Sequence, residues 1–223
     1  MKHIILALLF PVIANGATVQ LTDSVGGLIP DGSTAGLART LVLDRPGEEI
    51  TSITVDISIS GTSGSFPFLG DLYFYLSDGT SLVTLANRAG RDSGTLDGYD
   101  DSVSMMVTFS DLAFTDFHVY RPAVTGNSTT ALSGPLTGSF QPDGRDTLPT
   151  SVVTGDARTS QLSDFLGVSA ERTFTLFAAD LSGGAEHQID SLTLNVETVQ
   201  VPEPSLGLLS LASACLLMFK RWR

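Results

Sequence analysis

Ile50-Thr51-Ser52-Ile53-Thr54-Val55-Asp56-Ile57-Ser58-Ile59 decides the fold class. Ile53, Val55, Ile57 and Ile59 fall on one face, and Thr54, Asp56 and Ser58 on the other. A period of two, with β-branched residues on the apolar side, describes a strand buried on one face and wet on the other. The same period returns on either side of this stretch. Leu72-Tyr73-Phe74-Tyr75-Leu76 leads into Ser77-Asp78-Gly79-Thr80 and then Ser81–Ala86, two strands joined at an Asp-Gly turn. Val103, Met105, Val107 and Phe109 alternate, as do Phe174, Leu176 and Ala178, and finally Leu192, Leu194 and Val196. No run of helical period exceeds a turn or two; Gln161–Leu166 would form one such turn. Residues 122–159 are polar and rich in Gly and Pro, and predict long loops around two or three short strands. Short strands separated by Gly, Pro and Asp turns predict an all-β fold, a jelly-roll-like β-sandwich.

Composition agrees. At 223 residues the chain holds one substantial domain, and 42% apolar content is too high for a disordered polymer. Twenty-two glycines and ten prolines are too many breakers for a helical bundle. A formal charge of −12 excludes nucleic acid as a partner, because phosphates are bound by basic faces that release counterions.

The two ends read as targeting segments. Residues 1–17 carry Lys2, an apolar run from Ile4 to Ile13, and the small-x-small exit Ala14-Asn15-Gly16, which together describe a secretory signal peptide cleaved near Ala14 and Gly16. At the other end, residues 200–205 form a linker containing Pro202-Glu203-Pro204. Residues 206–219 form an apolar run, and Lys220-Arg221-Trp222-Arg223 closes the chain. Fourteen residues at about 1.5 Å each span roughly 21 Å, shorter than a hydrocarbon core of roughly 30 Å. The basic tail and Trp222 are nonetheless the anchors of a membrane end. The three parts in this order resemble the PEP-CTERM sorting signal of Gram-negative bacteria. That resemblance implies processing by exosortase-type machinery, transient anchoring in the inner membrane, and delivery to the cell surface, outer envelope or extracellular matrix.

Between the ends, residues 18–199 form the domain. Lys2, Lys220, Arg221 and Arg223 lie in the ends, so residues 18–204 hold eight arginines against 24 acids, about −16. Both lysines, Cys215 and Trp222 also belong to the ends. The domain therefore has no thiolate, no Schiff-base lysine and no phosphate-loop lysine. His118 and His187 read as loop or surface histidines, and no serine sits in a nucleophile-elbow sequence.

Within the domain a second resemblance appears. Ile29-Pro30-Asp31, Gly70-Asp71-Leu72, Ser77-Asp78-Gly79-Thr80, Tyr99-Asp100-Asp101-Ser102, Arg172–Asp180 and Ile189–Val196 follow one another in the order of the P domain (Homo B) of subtilisin-like proprotein convertases. Phe174 and Leu192 stand where that family has tryptophans, and Tyr99 where it has Phe; a core accepts such apolar exchanges by repacking. The resemblance covers residues 21–198 and implies a jelly-roll sandwich with structural calcium. Asp71, Asp100, Asp101 and Asp180 match as calcium ligands, and Asp97 and Asp190 are further carboxylates in the same regions. Calcium takes six to eight oxygen ligands, which clustered carboxylates and loop carbonyls supply; aspartates at strand ends also bond their own backbone.

These readings predict a non-enzymatic exported protein with a structural or binding sandwich. The alternative is a calcium-dependent carbohydrate-binding module of the extracellular matrix, with Tyr73, Tyr75 and Phe177 as an outward strip for stacking sugars, although packing beneath a second sheet is the commoner fate of such rings.

Overall fold

The computed structural model describes residues 16–24, 26–62 and 68–202. Ala14 and most of the signal-peptide stretch lie outside the described residues, as do Glu203, Pro204 and the apolar run 206–219. Gly16 and Pro202 lie inside.

Among the described residues nine strands follow in chain order: β1 (Gly16–Asp23), β2 (Gly27–Ile29), β3 (Ser33–Gly61), β4 (Leu72–Ser77), β5 (Leu82–Asn87), β6 (Met105–Phe109), β7 (Leu136–Phe140), β8 (Ser169–Asp180) and β9 (His187–Gln200). One short helix, α1 (Tyr120–Thr125), precedes β7. The strands form one connected sheet in the order β1-β9-β3-β8-β4-β5, with β2 on β9, β6 on β3 and β7 on β6. Every pair is antiparallel except β6 with β7. Among the described residues no helix is long and apolar enough to cross a membrane.

The connected sheet has two branches because β3 changes partners. Its first part, from Ser33 to Glu49, pairs with β8, which carries β4 and β5. Its second part, from Glu48 to Gly61, pairs with β9 on one side and β6 on the other. The change falls at Arg45-Pro46-Gly47-Glu48, where the β8 register shifts between Asp44 and Glu49. Pro46 has no N–H for a ladder, and Gly47 takes φ +75°, a conformation that costs a residue without Cβ little. Val201 N–H donates to the Gly47 carbonyl, and the buried Glu48 carboxylate accepts from Thr198, Gln200 and Arg45. The Thr198 and Arg45 bonds hold the Glu48 pKa below the usual carboxylate value. The bend is thus fixed from both strands.

The expected inner face of residues 53–59 is the observed one: Ile53, Val55, Ile57 and Ile59 are all buried. Phe74 of β4 meets Phe109 of β6 at 5.7 Å, so rings from the two branches share one core, with Phe117 packed against both. The Asp-Gly hairpin forms between β4 and β5. Gln161–Leu166 contains a turn of 3-10 helix, Leu162–Phe165, closed by a capping box between Gln161 and Asp164.

Three features depart from the sequence reading. Residues 122–159 contain one named strand, β7, where two or three were expected, and α1 begins just before them. Strands β1 and β2 and the first part of β3 lie outside the stretches read as strands from sequence. In β3, Leu41 and Leu43 point inward while Val42 between them is 62% exposed, so the strand reads as a continuous apolar run.

Candidate functional site

The four aspartates expected to share calcium divide into two groups. Asp71 ends a 3-10 turn, Leu69–Asp71, and Asp180 ends β8; the Asp71 carbonyl accepts from Leu181 N–H, which brings the two together. Asp180 Oδ2 lies 2.7 Å from His187 Nδ1, and its Oδ1 accepts from the Ser182 backbone. Asp71 faces Arg88 at 3.7 Å. Burial pushes the Asp71 carboxyl up to about 6; the Ser182 hydrogen bond opposes this, the Asp180 charge adds to it, and Arg88 and His187 counter it. Arg88 is itself held at φ 50°, uncommon outside glycine, with its guanidinium on Ser182 Oγ at 2.9 Å.

Asp100 and Asp101 face Arg121 instead. Asp101, wholly buried, accepts from Tyr120 Oη at 2.6 Å, Arg121 Nε at 2.7 Å and Leu132 N–H at 2.6 Å. Asp100 pairs with the other end of the same guanidinium, which lowers its pKa. Arg121 also lies over the Tyr99 ring, 4.4 Å from its centroid. Of the further carboxylates, Asp97 is 3.5 Å from Arg88, and Asp190 accepts from Ser60 and Gln188 on the β3–β9 surface.

Among the described residues no three His, Cys, Asp or Glu side chains are grouped to hold a metal ion. Calcium requires six to eight oxygens, whereas these carboxylates are engaged by arginine, histidine, hydroxyl and backbone donors. The set does not fit the ion.

Both histidines correct the surface expectation: His118 is 0% and His187 1% exposed. Each is admitted to the interior by a carboxylate partner, Asp143 for His118 and Asp180 for His187. A buried ionisable group needs such a partner.

The aromatic strip takes the outward alternative. Leu72, Phe74 and Leu76 of β4 are buried while Tyr73 and Tyr75 between them are half-buried on the opposite face. In β8, Phe174, Leu176 and Ala178 are buried and Phe177 is half-buried. Tyr75 stands directly opposite Phe177 in the ladder, and their rings stack at 5.1 Å with planes 21° apart. Tyr73 completes a triangle, 5.8 Å from Tyr75 and 6.5 Å from Phe177. Gly36, at φ +58° in a bulge of β3, lies beneath Phe177; a Cβ there would stand 2.5 Å from both the Phe177 ring and the Ala178 carbonyl. The adjoining outward residues Thr175, Thr173, Ala38 and Thr40 add no charge.

Sequence reasoning missed a polar cleft of about 340 Å³ lined by Asp111, Gln141, Arg158, Thr159, Ser160 and Gln161. Its residues come from three separated segments that read as polar loop, and no spacing joins them.

No family model matches the chain, and no curated protein does. Among solved structures, it is similar to a chain in the complex of Aeromonas sobria serine protease (ASP) with the chaperone ORF2, at 14% identity and a TM-score of 0.41. The match covers 82% of this chain and 27% of that one, so the chain spans about a quarter of its length. Likeness at that level transfers neither fold nor role.

Proposed function

We propose that this protein is a non-enzymatic, exported β-sandwich of jelly-roll type that binds polysaccharide of the cell surface or matrix through Tyr73, Tyr75 and Phe177. The observation that carries the reading is the ring triangle on the outer face of β4 and β8. Aromatic rings half in water offer large, rigid apolar faces with polar tips, as sugar faces require. The sandwich part of the proposal is supported by rings from the two branches of the sheet, Phe74 and Phe109, meeting with Phe117 in one core. Its likeness in motif order to the convertase P domain belongs to the same proposal.

Delivery rests on the ends of the chain. The basic start with its apolar run, and Pro202-Glu203-Pro204 followed by residues 206–219 and the basic tail, support export, handling by an exosortase-type enzyme and transient anchoring in the inner membrane. Binding without catalysis is supported by the histidines. His118 has both ring nitrogens engaged in the core, and His187 holds a buried carboxylate, so neither offers a base to a substrate in solvent. We propose binding without calcium.

Native affinity gels containing neutral polysaccharides test the binding. Retardation of the wild-type protein, with loss of about tenfold or more in affinity for Tyr75→Ala, is expected; unchanged mobility in every polymer overturns the reading. For delivery, a reporter carrying residues 1–17 and 200–223 should fractionate with the envelope, and a cytosolic reporter counts against it.

A further inference from the structure

Asp146 stands between the ring triangle and the polar cleft. It is exposed, and its Oδ1 accepts from Thr84 at 2.8 Å and from Ser160 at 2.9 Å, while Oδ2 accepts from Thr159 at 2.6 Å. Thr84 lies opposite Tyr75 in the β4–β5 ladder, and burial together with the charges of Tyr75 and Asp146 raises the Tyr73 pKa against a hydrogen bond from Thr84. Thr159 and Ser160 line the cleft. One carboxylate therefore ties the strand beside the aromatic face to two residues of the cleft lining.

The cleft groups are held in place from behind. Arg158 donates from Nε to the Asp143 carbonyl at 3.1 Å, from one terminal nitrogen to the Pro142 carbonyl at 2.7 Å, and from the other to Gln141 Oε1. Asp111 accepts from the backbone of Leu162 at 3.0 Å and Ser163 at 2.7 Å. These bonds leave N–H groups on Arg158 and Gln141 and lone pairs on Asp111 for a ligand. Fixed donors and acceptors side by side suit a polyhydroxylated ring, whose hydroxyls both give and accept. An anion suits the cleft poorly, because Asp111 shares the lining with its guanidinium, Asp146 bonds Thr159 and Ser160 of that lining, and the domain is strongly acidic. Its volume lies near the lower end of ligand pockets, roughly 300–1,000 Å³, which is room for a sugar unit or two.

We propose that the cleft is the second half of one glycan track: the rings take the faces of one or two units of a neutral polysaccharide, and the cleft holds the hydroxyls of the unit beyond Asp146. This rests on the reading that the aromatic face binds polysaccharide. A track of this kind makes affinity rise with chain length until both halves are filled.

The test uses the purified full-length protein in detergent. Affinity gels with dextran, galactomannan and hydroxyethylcellulose find the polymer it binds, with alginate as the acidic control. Oligosaccharides of two to six units from that polymer are then titrated calorimetrically. Wild type should bind the six-unit chain about tenfold or more tighter than the two-unit chain. Arg158→Lys, which keeps the charge but loses the fork, and Gln161→Trp, which fills the cleft from an exposed position, should keep the two-unit affinity and lose the length gain. Tyr75→Ala should weaken both lengths. Cleft variants that follow wild type at every length, while Tyr75→Ala loses binding, overturn the track and leave the aromatic face standing. Binding to none of the polymers, or a Tyr75→Ala indistinguishable from wild type, overturns the aromatic reading and the track with it.

Discussion

His118 Nδ1 lies 2.8 Å from Asp143 Oδ2, and neither side chain is exposed. The other ring nitrogen, Nε2, lies 3.0 Å from the Arg91 carbonyl. A carboxylate and a carbonyl can only accept, so both ring nitrogens must donate and His118 is an imidazolium in the core. Burial alone pushes its pKa down, but the hydrogen bond and charge of Asp143, with the Arg91 carbonyl, outweigh burial and raise it. The charged groups around it are Asp143, Arg145, which pairs with Asp143 and Asp116, and Asp116, which accepts from the His118 backbone.

A raised pKa in the folded state gives stability that is complete below the unfolded value of about 6.5 and is lost as pH climbs through the folded value. His118→Gln should therefore cost about 3–5 kcal/mol near pH 6, the usual cost of breaking a buried pair. The gap to wild type should narrow at alkaline pH. Urea melts at pH 6, 8 and 10 measure it, and a gap constant with pH means His118 is neutral in the fold.

Asp71 has the same sign from a different cause. Its carboxyl is raised to about 6, chiefly by burial, so the stability it contributes is present below about 3.8 and lost as pH rises through about 6. Ionising it in place costs on the order of 3 kcal/mol. Asp71→Asn should flatten the decline in stability between pH 4 and 6, read by thermal melts across that range. A variant whose melting temperature falls over that window as steeply as wild type's places the decline elsewhere.

Gly36→Ala should impair both stability and binding. The new methyl meets the Phe177 ring and the Ala178 carbonyl, and the backbone is in a conformation that alanine resists. A loss of more than about 1 kcal/mol is expected, with weaker retardation in polysaccharide gels. Gly155→Ala, where the added carbon meets nothing within 4 Å, serves as the control.

Millimolar calcium or a chelator should leave the melting temperature unchanged, since a ligand bound only to the folded state must raise it. A rise with calcium would show that Asp71 and Asp180, or Asp100 and Asp101, release their arginine and histidine partners for the ion.

What could be read from sequence was what repeats along the chain. The Ile53–Ile59 face, the hairpin after Leu76 and the turn at Gln161 each declare themselves within ten residues. The outward run Tyr73, Tyr75 was visible too, but its fate was not, because alternation alone does not say which face of a sheet meets the core. The charged interior left no trace at all. Asp143 follows His118 by 25 positions, and Arg91 reaches the Val152 carbonyl across 61. Charged residues far apart in sequence look like surface until the partner that neutralises them is known. Helix α1 was missed for another reason: six residues with Pro122 inside are too short to show a helical period.

Among the described residues strand β1 finds its ladder on β9; Gln20 bonds Asn195 across a separation of 175 residues. β1 thus has its ladder partner only once β9, far along the chain, has been made. Closing so wide a loop is slow compared with pairing near neighbours. Until β9 is in place β1 stays unzipped, so the arrival of β9 sets the moment at which that edge of the sheet is sealed.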